Sequence, residues 1–402
     1  MRAVEVGYRV VGYDVDEARV KSLAGAESYV EDVPGAVLAA ALESGRYRPS
    51  SSAKSLAGFD VAVITVPTPL REGIPDLSYI EASAATLARY LRPGATVVLE
   101  STTYPGTTEE LVAPILEEGS GLAAGEWFHL GYSPERIDPG NPEWTVVNTP
   151  KVVSGVDASS LAAVQGFYAS LVERTVAVSS PKEAELAKLL ENTFRHVNIA
   201  LVNEMAMFAT DLGINVWEAI DAAATKPFGF MAFTPGPGVG GHCLPIDPSY
   251  LSWRVRRRLG QSFRFVELAN DVNDHMPDYV VRRVTEALNR RRMAVNGSRI
   301  LLLGLAYKRN TGDARESPAM VVAERLLALG ADVRAADPHV VEGHVDHRVT
   351  RVEVTPQELA DADAVVLLTD HDAFPMEAVA AHARYVFDAR RRLPPGPAVE
   401  YL

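Results

Sequence analysis

The chain has 402 residues, 47% hydrophobic and 23% charged, which implies two or three domains with an ample core and excludes a disordered or fibrous protein. A formal net charge of -13 excludes general nucleic-acid binding, so an anionic ligand must be held by local basic residues. The apolar runs 61–66 and 300–305 are strand-sized rather than membrane-sized, the N-terminus lacks a signal-like apolar stretch, and a single cysteine allows no internal disulfide, a pattern that points to the cytoplasm.

The first third alternates β-rich runs with helical patterns, as a parallel α/β sheet requires. Strands are predicted at 9–14, 60–66, 96–100, 129–133, 151–155 and 175–178. Residues 1–6 read as the last turns of a helix closed by Gly7. Strand 9–14 ends in Asp14, with Asp16 and Arg19 following. In a dinucleotide-binding fold the second strand ends in an acid that hydrogen-bonds the adenosine ribose, selecting NAD over NADP because a 2′-phosphate would meet its charge. The first strand and the G-x-G-x-x-G turn that precede such an acid are not in this sequence. The predicted sheet therefore has a gap where the pyrophosphate would be held. The expectation is a piece of a longer protein; the rival reading is a chain of this length that binds NAD poorly or not at all.

From 181 to about 288 the pattern becomes almost wholly helical, broken only by a glycine loop. Residues 183–212 read as one long helix or two nearly continuous ones, with Leu186, Leu189, Leu190, Phe194, Val197 and Leu201 near helical period. That is more apolar surface than a linker needs, and it predicts a homodimer through the central helices. The arginines at 254–258 and 290–292 read as solvated helix ends. A third region restarts the α/β alternation, with strands at 299–305, 332–336, 364–369 and 385–387. The fold class is therefore α/β, two Rossmann-like domains at 1–180 and 294–402 joined by a helical region at 181–293.

The glycine loop, 236–248, holds the chain's one cysteine, Cys243. Glycines let backbone approach a ligand closely and flanking prolines stiffen the segment. A free cysteine is most often a small buried hydrophobe. Here helix and strand are both disfavoured and Asp247 follows four residues later, so a nucleophile is the better reading. His242 beside it finds no second ligand pair at metal spacing, so no metal is expected.

Taken in order, Val66-Pro67-Thr68-Pro69, Glu100-Ser101-Thr102-Thr103, Ser133-Pro134-Glu135-Arg136, Glu185-Leu186-Ala187-Lys188 with Asn192, the Cys243 loop, and Gly304-Leu305-Ala306-Tyr307-Lys308 with 312–317 resemble the UDP-glucose/GDP-mannose dehydrogenase family along nearly the whole chain. Residues 133–140 and 226–229 look more like bacterial UDP-N-acetylhexosamine 6-dehydrogenases than animal UDP-glucose dehydrogenases. The resemblance implies an NAD-dependent four-electron oxidation of the C6 alcohol of a UDP-sugar to a uronic acid. Cys243 would capture the intermediate aldehyde as a thiohemiacetal, then carry the acid as a thioester.

The same resemblance implies further roles. Asp247 and Asn192 would hold a water that removes the hydroxyl proton, Lys188 would steady the oxyanion, and Glu135 would be the base for thioester hydrolysis, with Thr102 positioning water or base. NAD would be met by Asp14, Arg19, Pro67, Thr68, Ser101, Thr102 and Arg315, and the UDP-sugar by Glu135, Arg136, Lys188, Asn192, Gly240, Gly241, Lys308 and Arg390. Where part of the family carries a second glutamate, this chain has Pro139. Two other readings stay open: a nucleotide-sugar binding module without catalysis, and a two-electron hydroxyacid dehydrogenase of similar fold, which needs neither the cysteine nor the third region.

Overall fold

A short apolar strand between helices can hide both faces only in a parallel sheet covered by those helices, and the chain follows that rule at both ends. The computed structural model describes residues 1–402 except 31–32, 72, 139, 142, 242–243, 245 and 342–344. It divides into two compact units, Met1–Glu191 and Asn192–Leu402.

The first unit runs α1 (Arg2–Glu5), β1 (Val10–Tyr13), α2 (Glu17–Ala24), α3 (Gly35–Glu43), β2 (Tyr47–Ser50), β3 (Val61–Ile64), the two-residue strands β4 (Leu70–Arg71) and β5 (Ile74–Pro75), α4 (Ser78–Ala88), β6 (Thr96–Leu99), α5 (Ala113–Ser120), β7 (His129–Tyr132), β8 (Lys151–Val153), α6 (Ala158–Ala169) and β9 (Thr175–Ala177). All six strands expected here form, two of them trimmed at both ends and four at the C-terminal end only. The sequence reading missed β2, which carries Pro49 and pairs in parallel with β1 at an edge, the position where a strand tolerates proline. Asp16 caps α2 by accepting from the Ala18 and Arg19 amides, and Asp157 caps α6 through Ser160. Val97, Leu99, Leu130 and Tyr132 are wholly buried against Ile80 and Leu116.

Strands β3, β6 and β7 form one parallel sheet, and β1 with β2 another. No strand among the described residues bridges β1 and β3, so the expected interruption of the sheet is present.

Helix α7 (Pro181–Asp211) begins in the first unit and ends in the second. The second unit continues with α8 (Val216–Ala224), α9 (Asp247–Leu259), α10 (Arg264–Arg290), β10 (Arg299–Leu303), α11 (Pro318–Ala328), β11 (Asp332–Ala336), β12 (Thr350–Arg351), α12 (Pro356–Asp361), β13 (Ala364–Leu367), α13 (Met376–His382), β14 (Val386–Asp388) and β15 (Val399–Tyr401). The non-helical stretch before α9 begins at Thr225, well ahead of the glycine loop, because Pro227, Gly229 and Pro235 stop a helix before Gly236 is reached.

The six strands among the described residues of this unit are all parallel, in the order β12-β11-β10-β13-β14-β15. Numbered along the chain, that order is 3-2-1-4-5-6, the doubly wound arrangement, whose switch point lies between β10 and β13. Ligands meet such sheets in the crevice outside the carboxyl ends of the strands at the switch point, and the turn carrying Tyr307 and Lys308 leaves β10 there. Among the described residues no helix is long and apolar enough to cross a membrane.

Candidate active site

Register fixes the first group of residues. Ile64, Leu99 and Tyr132 stand at one level across β3, β6 and β7, so the segments that follow leave the same carboxyl edge. Pro67 is exposed there and Thr68 half-buried. Ser101 is buried and donates its hydroxyl to the Val66 carbonyl at 2.7 Å, tying two of the segments together. Thr102 is half-buried beside the wholly buried Thr103, whose Oγ1 lies 2.6 Å from Thr107 Oγ1.

Glu135 turns its Oε1 onto the amides of Arg136 and Ile137, both at 2.7 Å. Lys188 Nζ, on α7, donates to the Glu135 carbonyl at 2.5 Å. Arg136 reaches away to the Glu191 carboxylate and the Pro150 carbonyl, each at 2.6 Å. Lys188, Glu135 and Arg136 are thus brought together. Asp14 is half-buried at the end of β1, accepts from the Asp16 amide at 2.9 Å and lies 3.6 Å from Arg19 Nη1.

In the second unit Asn192 Nδ2 donates to Asp247 Oδ2 at 2.6 Å. Asp247 is 4% exposed and opens α9, where the positive end of the helix favours a carboxylate. The glycine loop is pinned upstream: the Gly236 amide donates to Asn203 Oδ1 at 2.9 Å and the Gly241 amide to the Arg315 carbonyl at 3.2 Å. A Cβ on Gly240 would stand 2.6 Å from the Glu316 carbonyl oxygen. One on Gly241, whose φ is +84°, would stand 2.8 Å from the Tyr307 ring. Arg390 Nη1 lies 2.7 Å from the place of a Gly236 Cβ, and Arg390 Nε donates to the Leu368 carbonyl at 2.7 Å. Lys308 is half-buried in the same turn as Tyr307. The exposed Arg315 side chain folds onto Asp313 at 2.5 Å and 2.8 Å. Asn192, Asp247, Gly240, Gly241, Arg315 and Arg390 therefore gather around one loop. Cys243 itself, like His242 and Pro139, lies outside the described residues.

Three models of one family cover this arrangement. The NAD binding domain of the UDP-glucose/GDP-mannose dehydrogenase family matches residues 1–172, its central domain 182–275 and its UDP binding domain 301–395. The chain belongs to the UDP-glucose/GDP-mannose dehydrogenase family. It is similar to the UDP-N-acetyl-D-mannosamine dehydrogenase of Pyrococcus horikoshii, 37% identical over 92% of this chain and 85% of that protein. It is 36% identical to the UDP-N-acetyl-D-glucosamine 6-dehydrogenase of Pseudomonas aeruginosa over 92% of this chain and 88% of the relative. The solved structure of the UDP-D-ManNAc dehydrogenase from Pyrococcus horikoshii superposes with a TM-score of 0.90 at 34% identity, covering 100% of this chain and 94% of that one. The chain is accordingly an NAD-dependent oxidoreductase with a UDP-sugar binding domain.

The residues present fit part of NAD. A half-buried carboxylate just after a parallel strand is the kind of acceptor that a ribose diol needs, and Asp14 has that chemistry and that place. Pro67, Thr68, Ser101 and Thr102, which carry no charge, stand at the carboxyl edge of the neighbouring sheet.

Sequence reasoning missed a buried ionic group beneath that edge. Lys151, 7% exposed, places Nζ 2.6 Å from Glu100 Oε1, 3.5 Å from Glu135 Oε2 and 5.1 Å over the Tyr168 ring. Tyr168 donates its hydroxyl to the same Glu100 oxygen at 2.8 Å. Burial, then the Glu100 charge, pushes the Tyr168 phenol well above its ordinary range, so it stays a donor. The available signal was a lysine opening a strand whose other residues are apolar.

Glu185 is a second buried group to which the sequence alone assigns no role. Wholly buried, it accepts from the Gly106 amide at 2.6 Å and from the Thr108 amide and hydroxyl at 2.9 and 2.7 Å. It therefore holds the segment that follows Thr102 and Thr103. Burial raises its carboxyl to about 7, against the pull of those hydrogen bonds. In the second unit Asp337 does the parallel work for the Tyr307 turn, accepting from the Leu305 and Ala306 amides at 2.6 and 3.0 Å. Burial opposes its charge, but His371 and these amides hold the carboxyl well below the usual range.

Proposed function

We propose that the chain oxidises the C6 primary alcohol of a UDP-N-acetylhexosamine to the carboxylate through covalent capture on Cys243. Asp247 and Asn192 hold a water that takes the hydroxyl proton, and Lys188 steadies the developing oxyanion. The Cys243 thiolate adds to the aldehyde carbon to give a thiohemiacetal. A second oxidation leaves a thioester, and water, activated by Glu135, releases the carboxylate and the free thiol. NAD, when bound, supplies the hydride acceptor for each oxidation. Thr102, Ser101, Pro67, Thr68, Asp14, Arg19 and Arg315 serve the cofactor, and Arg136, Gly240, Gly241, Lys308 and Arg390 the UDP-sugar. Residues 1–180, 181–293 and 294–402 divide the work as cofactor domain, central helical domain and nucleotide-sugar domain.

The observation that carries this reading is the buried Asp247 carboxylate held at 2.6 Å by Asn192, immediately after the glycine loop. The names of the similar proteins, which act on N-acetylhexosamine nucleotides, support the sugar class. The test is NADH formed per UDP-N-acetylhexosamine consumed, with Cys243→Ala as control. Two NADH per sugar, and no uronic acid from Cys243→Ala, is the expected result. Nucleotide-sugar binding without NADH would instead support the binding-module reading.

We further propose a homodimer through α7. On that helix Leu186, Leu190, Phe194, Leu201, Met205 and Phe208 are 44% to 64% exposed, spaced three, four or seven residues apart. Such a row fits a second copy of the same helix better than water.

A further inference from the structure

Behind the glycine loop lies a row of buried polar side chains that no step above uses. The Gly236 amide donates to Asn203 Oδ1 at 2.9 Å, and Asn203 Nδ2 donates to Asn273 Oδ1 at 2.9 Å. Asn273 Nδ2 stands 3.4 Å from His196 Nδ1, and His196 Nε2 is 2.7 Å from Asn270 Oδ1. Asn203, Asn273 and His196 are 0%, 3% and 1% exposed, so bulk water does not reach them.

The row has only one consistent polarity. A backbone N–H can only donate, so the Asn203 atom facing Gly236 is its oxygen, and its amide nitrogen must face Asn273. The same reasoning turns the Asn273 nitrogen to His196, whose Nδ1 must therefore accept. The ring proton then sits on Nε2 and is donated to Asn270. Burial lowers the His196 pKa, in keeping with a neutral ring. One backbone amide thus orients three side chains drawn from α7 and α10, and they in turn fix that amide.

Gly236 opens the loop that leads to Cys243. The loop's later pins, the Gly241 amide on the Arg315 carbonyl and Asp247 on Asn192, set its course only if its first residue is placed. We infer that Asn203, Asn273 and His196 are positioning residues for the proposed reaction, which hold the entry of the Cys243 loop through the Gly236 amide. This rests on the Cys243 reading for its catalytic consequence.

The experiment compares wild type with His196→Leu, His196→Gln and Asn203→Leu. Glutamine keeps a neutral acceptor and donor side by side, whereas leucine cuts the row. The first readout is hydrogen–deuterium exchange of the segment 234–241 in NAD-free protein; the second is kcat and KM on the UDP-sugar. Both leucine variants should exchange the segment about tenfold faster, as loss of a buried hydrogen bond allows. They should also lower kcat about tenfold or more while KM moves less than about threefold. His196→Gln should recover most of both. If His196→Leu does not fold, the Asn203→Leu and His196→Gln pair still decides. Unchanged exchange in folded leucine variants, or a glutamine variant no better than leucine, overturns the inference. Exchange needs neither cofactor nor substrate, so the expected exchange pattern in a protein that makes no NADH would sink the proposed reaction and leave the positioning intact.

Discussion

Replacing Glu185 by glutamine isolates the cost of burying one carboxylate beside the proposed site. Folding raises the Glu185 pKa from 4.5 to about 7, chiefly through burial, so the native protein keeps a proton that the unfolded chain releases. The sign follows: this group's contribution is complete below about pH 4.5 and is lost as pH rises towards 7. The gap between 4.5 and about 7, at ~1.4 kcal/mol per pH unit, amounts to about 3 kcal/mol. Glutamine carries no such charge. Its NH2 takes the place of one oxygen and meets the Gly106 donor there while the remaining oxygen keeps the Thr108 pair, a mismatch that costs about 1–3 kcal/mol but does not change with pH.

The assay is urea unfolding of both proteins from about pH 4 to about pH 8. Their stability difference should favour wild type most in acid and shift towards the variant by about 3 kcal/mol as pH passes 7. Parallel curves would refute the reasoning, because they would mean that the three hydrogen bonds offset the burial completely.

Two further changes test other parts of the molecule. Lys151→Met should cost about 2–4 kcal/mol in urea unfolding, because it strands the half-buried Glu100 charge; adding Glu100→Gln should recover most of it, and a loss under about 1 kcal/mol would refute the pairing. Leu201→Asp with Phe208→Asp, at two exposed positions of α7, should halve the mass seen by light scattering. An unchanged mass equal to two chains would place the interface elsewhere.

What was legible in the sequence was what repeats locally. Thr96–Leu99 and Arg299–Leu303 announce themselves because a strand buried on both faces has to be a nearly continuous apolar run, and Val61–Ile64, though only Ile64 of it is buried, is apolar throughout. The glycine loop, Asn192 and Asp247 were legible from the family's motifs, and the structure puts the last two within a hydrogen bond of each other. Lys151 was not, because its partners Glu100 and Tyr168 lie far along the chain and nothing local distinguishes it from a solvated lysine. The row from His196 to Gly236 was hidden for the same reason: each asparagine alone reads as helix surface, and only packing of α7 against α10 makes them a set. Strands β2, β12 and β15 were too short, or too interrupted by proline, to carry a pattern.

The close seating of Gly240 and Gly241 on the Tyr307 turn restricts how such a protein can diverge. A side chain at 240 collides partly with backbone, the Glu316 carbonyl, which no substitution elsewhere removes. At 241, trimming Tyr307 would clear the space, yet the φ of +84° would still penalise any side chain. Neither glycine has a single compensating change within mutational reach, so drift cannot explore this loop one step at a time. Under the proposed function, new sugar preferences would have to arise outside this loop, at long side chains such as Arg136, whose contacts are side-chain hydrogen bonds to Glu191 and the Pro150 carbonyl.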